Sequence, residues 1–374
     1  MIINKILITG NNILAVCYTR KELIERLLRD GWKVHLLIPK ENIEKIQEFE
    51  QKGCKIDYIK INSHGTNPCE DLILIYKYKQ KLIELAPDIV MTFTIKPTLY
   101  CGISCNKLRI PFISTITGLG IAVENPSVKQ KLIILLYKMT FKKVRCVFFQ
   151  NAKNKYFFDK HNIKIKRQKL VPGSGVNLDA HCYEPYPEKD DTIRFLFIGR
   201  MMKDKGIDEL LAAAQRIKEK HDHVFFDLIG FCEADYKGKA QLETLHKQKM
   251  INYMGHQDAI HDHIKAHHAL LHPSYHEGMA NVLLEAAACG RPVLASNIPG
   301  CQEAFDEGIT GFGFEPRNVD DLVRAIEKFI ALPYEQKQAM GIAGRKKMEQ
   351  EFDRQIVVDA YMEEIENILK NKHQ

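Results

Sequence analysis

The chain has 374 residues, 45% of them hydrophobic and 27% charged, with a formal net charge of +7. That length and composition allow two domains of ordinary size, each with its own core. Ten cysteines without a CxxC pair exclude a disulfide scaffold, and no apolar run approaches the roughly 18 to 20 residues that span a bilayer. The opening "MIINKILITG" is too short and too soon interrupted for a signal peptide, so a reduced, cytoplasmic setting is expected.

From the N-terminus, "KILITG", "KVHLLIP", "CKIDYIKI", "DIVMTF", "PFISTIT", "CVFFQ" and "KLVPG" read as strands. Between them lie helical runs such as "TRKELIERLLRDG" and "EDLILIYKYKQKLIELA". The first sets Leu23 against Leu27 and Ile24 against Leu28, with Gly31 as a stop. Residues 181–192, "HCYEPYPEKDDT", are rich in proline and charge and read as a linker. The alternation then restarts with strands "IRFLFIG", "HVFFDLIG", "INYMG", "ALLHPS" and "RPVLAS". Helices are expected at "GIDELLAAAQRIKEK", "QDAIHDHIKAHH", "NVLLEAAACG" and "VDDLVRAIEKFIAL", then from Glu335 and from Asp353. Alternating strand and helix predicts an α/β fold of two Rossmann-like, doubly wound domains with a cleft between them. The boundaries read 1–185, 186–352, and a C-terminal helix over 353–374 that returns toward the N-terminal domain. In such sheets ligands sit beyond the carboxyl ends of the strands.

Two places there suit an anion. After Gly199, Arg200 and Lys205 stand in a strand-to-helix turn. In "HPSYHEGMANVLLEAAACGRPVLAS", Asn281 reads as a helix N-cap, which aims the amides of Met279, Ala280 and Asn281 at a second anion. Glu277 precedes that helix and Glu285 lies within it, among apolar residues. Carboxylates accept strong hydrogen bonds from hydroxyls, so one suits a ribose and the other a sugar. The plainer reading pairs Glu285 with a nearby lysine or arginine.

"GRMMKDKG", the run around Glu277 and Glu285, and "PGCQEAFDEGITGF" together resemble the C-terminal domain of glycosyltransferase family 4, the retaining GT-B enzymes. The resemblance covers about residues 193–333 in motif detail and the whole chain in layout. It implies that Glu285 binds the nucleotide ribose and Glu277 the donor sugar. Arg200 and Lys205 then hold the diphosphate and stabilise its charge as it leaves, with the amides around Met279, Ala280 and Asn281. It implies no metal and no cofactor, only a nucleotide-sugar donor, most simply UDP-linked. Gly10 stands where many members carry a glycine pair, in "TGNNIL", and is assigned to donor binding. "STITGLGIAV" carries Thr117, Gly118 and Gly120 where many members have a histidine. It is similar to enzymes that build bacterial surface polysaccharide (capsule or O-antigen) on a polyprenyl diphosphate lipid, although the glycines also suit a plain tight turn.

Between Val128 and Lys169 stand eleven lysines with Arg145 and Arg167, against Asp159 alone. A basic, amphipathic segment suits an anionic membrane surface, and otherwise is a solvated face. The enzyme is therefore expected at the inner face of the plasma membrane. No nucleic-acid module is recognisable. His256, His261, His263, His267, His268, His272 and His276 lack the spacing of a zinc motif. A nucleotide-sugar epimerase of the same shape, or a catalytically silent sugar-nucleotide-binding subunit, remain the alternatives.

Overall fold

The computed structural model describes residues 4–62, 67–119 and 126–370. Gly120 of the glycine pair lies outside them. Two compact units emerge, one of residues 1–174 with 355–374, the other of 175–354.

The first unit begins with β1 (Lys5–Thr9), α1 (Ile13–Arg29), β2 (Lys33–Ile38), α2 (Ile43–Gln51), β3 (Lys55–Tyr58) and α3 (Pro68–Leu85). It continues with β4 (Ile89–Phe93), a π-helical turn (Pro97–Cys101) running into α4 (Gly102–Leu108), and β5 (Phe112–Ile116). Then come α5 (Val128–Thr140), β6 (Cys146–Phe149), α6 (Ala152–Lys160) and β7 (Gln168–Leu170). The seven strands form one sheet in the order β3-β2-β1-β4-β5-β6-β7. Every pair is parallel. Strand β4 is buried along its whole length, as a sheet covered on both faces requires.

The second unit holds β8 (Ile193–Ile198), α7 (Ile207–Lys218), β9 (Val224–Ile229), α8 (Lys239–Lys247), β10 (Asn252–Tyr253) and α9 (Ile260–Lys265). After these come β11 (Ala269–His272), α10 (Asn281–Ala288), β12 (Val293–Ser296), β13 (Gly311–Phe314), α11 (Val319–Ile330) and α12 (Tyr334–Glu351). The last helix, α13, runs Arg354–Lys370. The sheet order is β10-β9-β8-β11-β12-β13. Chain direction across the sheet reverses between β8 and β11, and at such a switch point the strand ends open a crevice for ligands.

The expected linker is corrected. Residues 181–192 lie inside the second unit, and the divisions fall at 174/175 and 354/355. The cause is Arg291, 1% exposed, whose guanidinium donates to the carbonyls of Glu184 and Pro185 at 2.9 and 2.8 Å. Proline and charge there mark an anchored surface strap. Helix α13 belongs to the first unit, where Val357, Val358, Tyr361, Met362, Ile365 and Ile368 join the core built on β1, β2 and β4.

Candidate active site

The site is built on the switch point of the second sheet. After β8, the amide of Gly199 donates to Ile229 at 2.9 Å, which holds the chain beside β9 for one more residue. Arg200 follows, more than half exposed, and pairs with Glu233 at 2.7 Å. A tight 3-10 turn, Lys203–Lys205, comes next. Gly206 ends it at φ 69°, and a Cβ there would lie 2.0 Å from the carbonyl oxygen of Pro273. Only glycine lets this turn press so close to the chain leaving β11. The amide of Tyr275 donates to Asp204 at 2.9 Å and locks the same contact. Lys205 is thereby carried onto Glu277, and its ammonium donates to Oε1.

From the other side comes His272, the last residue of β11, 2% exposed and stacked parallel to Phe197. Its Nε2 stands 2.9 Å from the same Oε1 of Glu277. Glu277 as a carboxylate only accepts, so Nε2 carries the proton. The buried Nδ1 has no hydrogen-bond partner in the structure. Glu277 itself is 13% exposed. Burial alone would raise its pKa, but the His272 hydrogen bond and the Lys205 charge override this. They hold the carboxyl well below the usual carboxylate range, so it is a fixed anion at neutral pH.

Helix α10 differs from expectation at its start. It begins at Asn281, and Ala280 occupies the cap position without a side-chain cap. The amide of Ala280 does not face an anion, because it donates to the carbonyl of Gly300 at 2.8 Å. Gly300, at φ 89°, packs its turn so tightly that a Cβ would come within 2.7 Å of the Glu277 carbonyl oxygen. That turn takes up the helix-entry amide and braces the loop that carries Glu277. Met279 and Ala280 are buried. Glu285 sits one turn after Asn281 and is 5% exposed. Gly10, at the end of β1, belongs to the first unit, and its missing side chain leaves room for Val16 of α1. Thr117 and Gly118 follow β5.

Two partners were not legible as such in the sequence. His272 stood among the histidines without the spacing of a zinc motif, and Glu233 was not singled out. A histidine closing a strand five residues before a glutamate is the signal that points to the His272–Glu277 pair.

Two family models cover most of the chain. Residues 184–347 match glycosyl transferases group 1, and residues 5–151 match glycosyl transferase 4-like. A Campylobacter jejuni protein, named N,N'-diacetylbacillosaminyl-diphospho-undecaprenol alpha-1,3-N-acetylgalactosaminyltransferase, is 24% identical over 376 residues, spanning 96% of this chain and 97% of that one. The chain is a glycosyltransferase of the GT-B, family 4 type. Over 178 residues this glycosyltransferase is also 31% identical to glycogen synthase of Mycobacterium tuberculosis, covering 44% of this chain and 40% of that one. Its fold is that of a Rickettsia africae glycosyltransferase, with TM-score 0.79, 19% identity, and 99% and 100% of the two chains covered. It is also that of Anabaena HepE crystallised with UDP and glucose, with TM-score 0.77, 16% identity, and 97% and 100% covered.

Proposed function

We propose that this glycosyltransferase transfers a sugar, with retention of configuration, from a UDP-sugar to a glycan on a polyprenyl diphosphate lipid. The setting is bacterial surface polysaccharide assembly. The observation that carries the reading is the fixed Glu277 anion between Lys205 and His272, at the switch point of the second sheet. The acceptor class is supported by the name of the Campylobacter relative, and the donor class by UDP in the Anabaena neighbour.

The sugar C1–O bond to the diphosphate breaks and a C1–O bond to the acceptor hydroxyl forms. The acceptor proton leaves on a phosphate oxygen. By family resemblance, attack comes on the face the diphosphate departs. Negative charge grows on the diphosphate, and Arg200 and Lys205 are the cations set to meet it. Arg200's exposed pair with Glu233 is of a kind worth only about 0 to 1 kcal/mol, so a diphosphate displaces it readily. Glu277 accepts hydrogen bonds from donor-sugar hydroxyls, and Glu285 from the ribose. His272 is a positioning residue that fixes the Glu277 carboxylate.

The membrane reading rests on α5. Val128, Leu132, Leu135 and Met139 recur at i, i+4, i+7 and i+11 and are all more than half exposed. Lys131 and Lys138 are exposed on the same helix, and Lys142 and Lys143 follow it. An apolar stripe rimmed by lysines suits the headgroup boundary of an anionic bilayer. No helix among the described residues is long and apolar enough to cross a membrane.

The test is transfer from UDP-, GDP- and ADP-sugars to a synthetic undecaprenyl diphosphate glycan, with the product anomer read by NMR. Transfer from a UDP-sugar with retained configuration is expected. An inverted product, or turnover of the donor to an isomeric nucleotide sugar without acceptor, overturns the reading.

A further inference from the structure

A second cluster lies in the 175–354 unit, built from three separate stretches of chain. The strap supplies Cys182 and Glu184, the first turn of α9 supplies His261, and the end of α10 supplies Cys289. The Nε2 of His261 stands 3.0 Å from Glu184 Oε1 and 3.8 Å from Cys182 Sγ, and the sulfur is 3.7 Å from that carboxylate oxygen. Ligand atoms around a tetrahedral zinc ion, with bonds of about 2.0 to 2.3 Å, stand about 3.4 to 3.6 Å apart. The three atoms meet that triangle to within a few tenths of an ångström.

We propose that Cys182, Glu184 and His261 form a binding site for a divalent transition metal of the zinc type. None of its three ligands is assigned to sugar transfer, and it does not rest on the donor reading. Binding releases the Cys182 thiol proton and forms a metal–sulfur bond. His261 binds through Nε2 and Glu184 through Oε1, and a water completes the tetrahedron from the solvent side. Thiolate and carboxylate together neutralise the divalent charge. A mixed sulfur, nitrogen and oxygen set favours zinc over calcium or magnesium, which take oxygen alone.

The surroundings are preorganised. Arg291 holds the carbonyls of Glu184 and Pro185, and Arg345 holds that of His181 at 3.0 Å. Ligation at Nε2 puts the remaining ring proton on Nδ1, which faces Cys289 Sγ at 3.5 Å. A partner on the other ring nitrogen is the usual support of a metal-bound histidine. Cys289 lies fully buried against the Nδ1 side of the ring, opposite the Nε2 that faces Cys182 and Glu184, so it serves as that partner and not as a ligand. Lys265 sits 3.1 Å from Glu184 Oε2 and orients the carboxylate by its other oxygen. The metal would thus clip the strap to α9, two stretches far apart in sequence. No zinc motif is legible in the chain because Cys182 and His261 are 79 residues apart.

The probe is Co2+ added to the full chain after chelator treatment, in a phosphine reductant. One equivalent should produce the sulfur-to-cobalt charge-transfer absorption and the d–d bands of tetrahedral cobalt, and Zn2+ should bleach both. Cys182→Ser should abolish the charge-transfer band, while Cys69→Ser, at an exposed thiol of the first unit, should leave it. Glu184→Gln should weaken binding at least tenfold. Metal-free melting should match wild type in all three variants, and Zn2+ should raise only the proteins that keep Cys182. No thiolate band in wild type at one equivalent overturns the proposal. A band that survives in Cys182→Ser also overturns it, by moving the metal to the His181–Cys289 side of the ring.

Discussion

Replacing Lys205 by methionine removes one charge and keeps most of the side-chain length. In the structure its ammonium and His272 share one oxygen of Glu277, and the Lys205 and Glu277 side chains are 20% and 13% exposed. Two unit charges about 4 Å apart interact by roughly 4 kcal/mol at an effective dielectric near 20. Removing one partner of a buried pair costs about 3 to 5 kcal/mol. Some water reaches this pair, so the variant should lose about 2 to 4 kcal/mol of unfolding free energy in urea. The loss should itself depend on pH. Glu277 is depressed in the folded state, so its contribution is present above its unfolded pKa of about 4.3 and fades as pH falls toward the folded value. The wild-type advantage should therefore hold at neutral pH and shrink below about pH 4. In transfer assays, kcat should fall by about 10² to 10³, the scale for removing one preorganised charge-stabilising group, while donor KM changes by less than about tenfold. A raised KM with kcat unchanged would show that Lys205 only holds the donor. Unchanged stability would refute the assignment of Glu277 as a mostly desolvated anion held by two partners.

Glu285→Gln should weaken UDP binding by about tenfold or more in calorimetry, and unchanged affinity would remove the ribose role from this buried carboxylate. Gly206→Ala should destabilise the second unit by about 2 kcal/mol or more and lower transfer. Its φ of 69° and the Pro273 carbonyl leave no place for a Cβ, and a melting temperature within about a degree of wild type would contradict this. Replacing Lys138, Lys142 and Lys143 by glutamine should reduce sedimentation with vesicles containing anionic lipid at low salt. Full retention would put the membrane contact elsewhere.

The strand and helix alternation was legible because parallel strands buried on both faces leave apolar runs, as in "DIVMTF" for β4. β13 was not recognised, since Gly311 and Gly313 take the place of β-formers in "GFGF". Gly311 is required there, because a Cβ would lie 2.1 Å from the Val293 carbonyl oxygen across the ladder. Helix α10 starts at Asn281 itself, one residue earlier than an Asn281 cap sets it, and the Ala280 amide is taken by the Gly300 turn, twenty residues away in sequence and so not legible locally. Glu277, Lys205 and Glu285 stood out by residue type and spacing. What holds Glu277 did not, since the His272 contact exists only once β11 and its return loop are folded.

The first unit's core is finished by the last stretch of chain. Tyr361 of α13 packs on Phe93 and Phe148, and its hydroxyl meets Thr115 Oγ1 at 2.8 Å. The second unit, 175–354, is continuous in sequence. During synthesis it can close as soon as its own residues emerge, while the unit made first waits with an apolar groove open until residues 355–370 arrive. Stop codons or proteolytic nicks near residue 355 would thus damage a unit most of whose residues precede position 175.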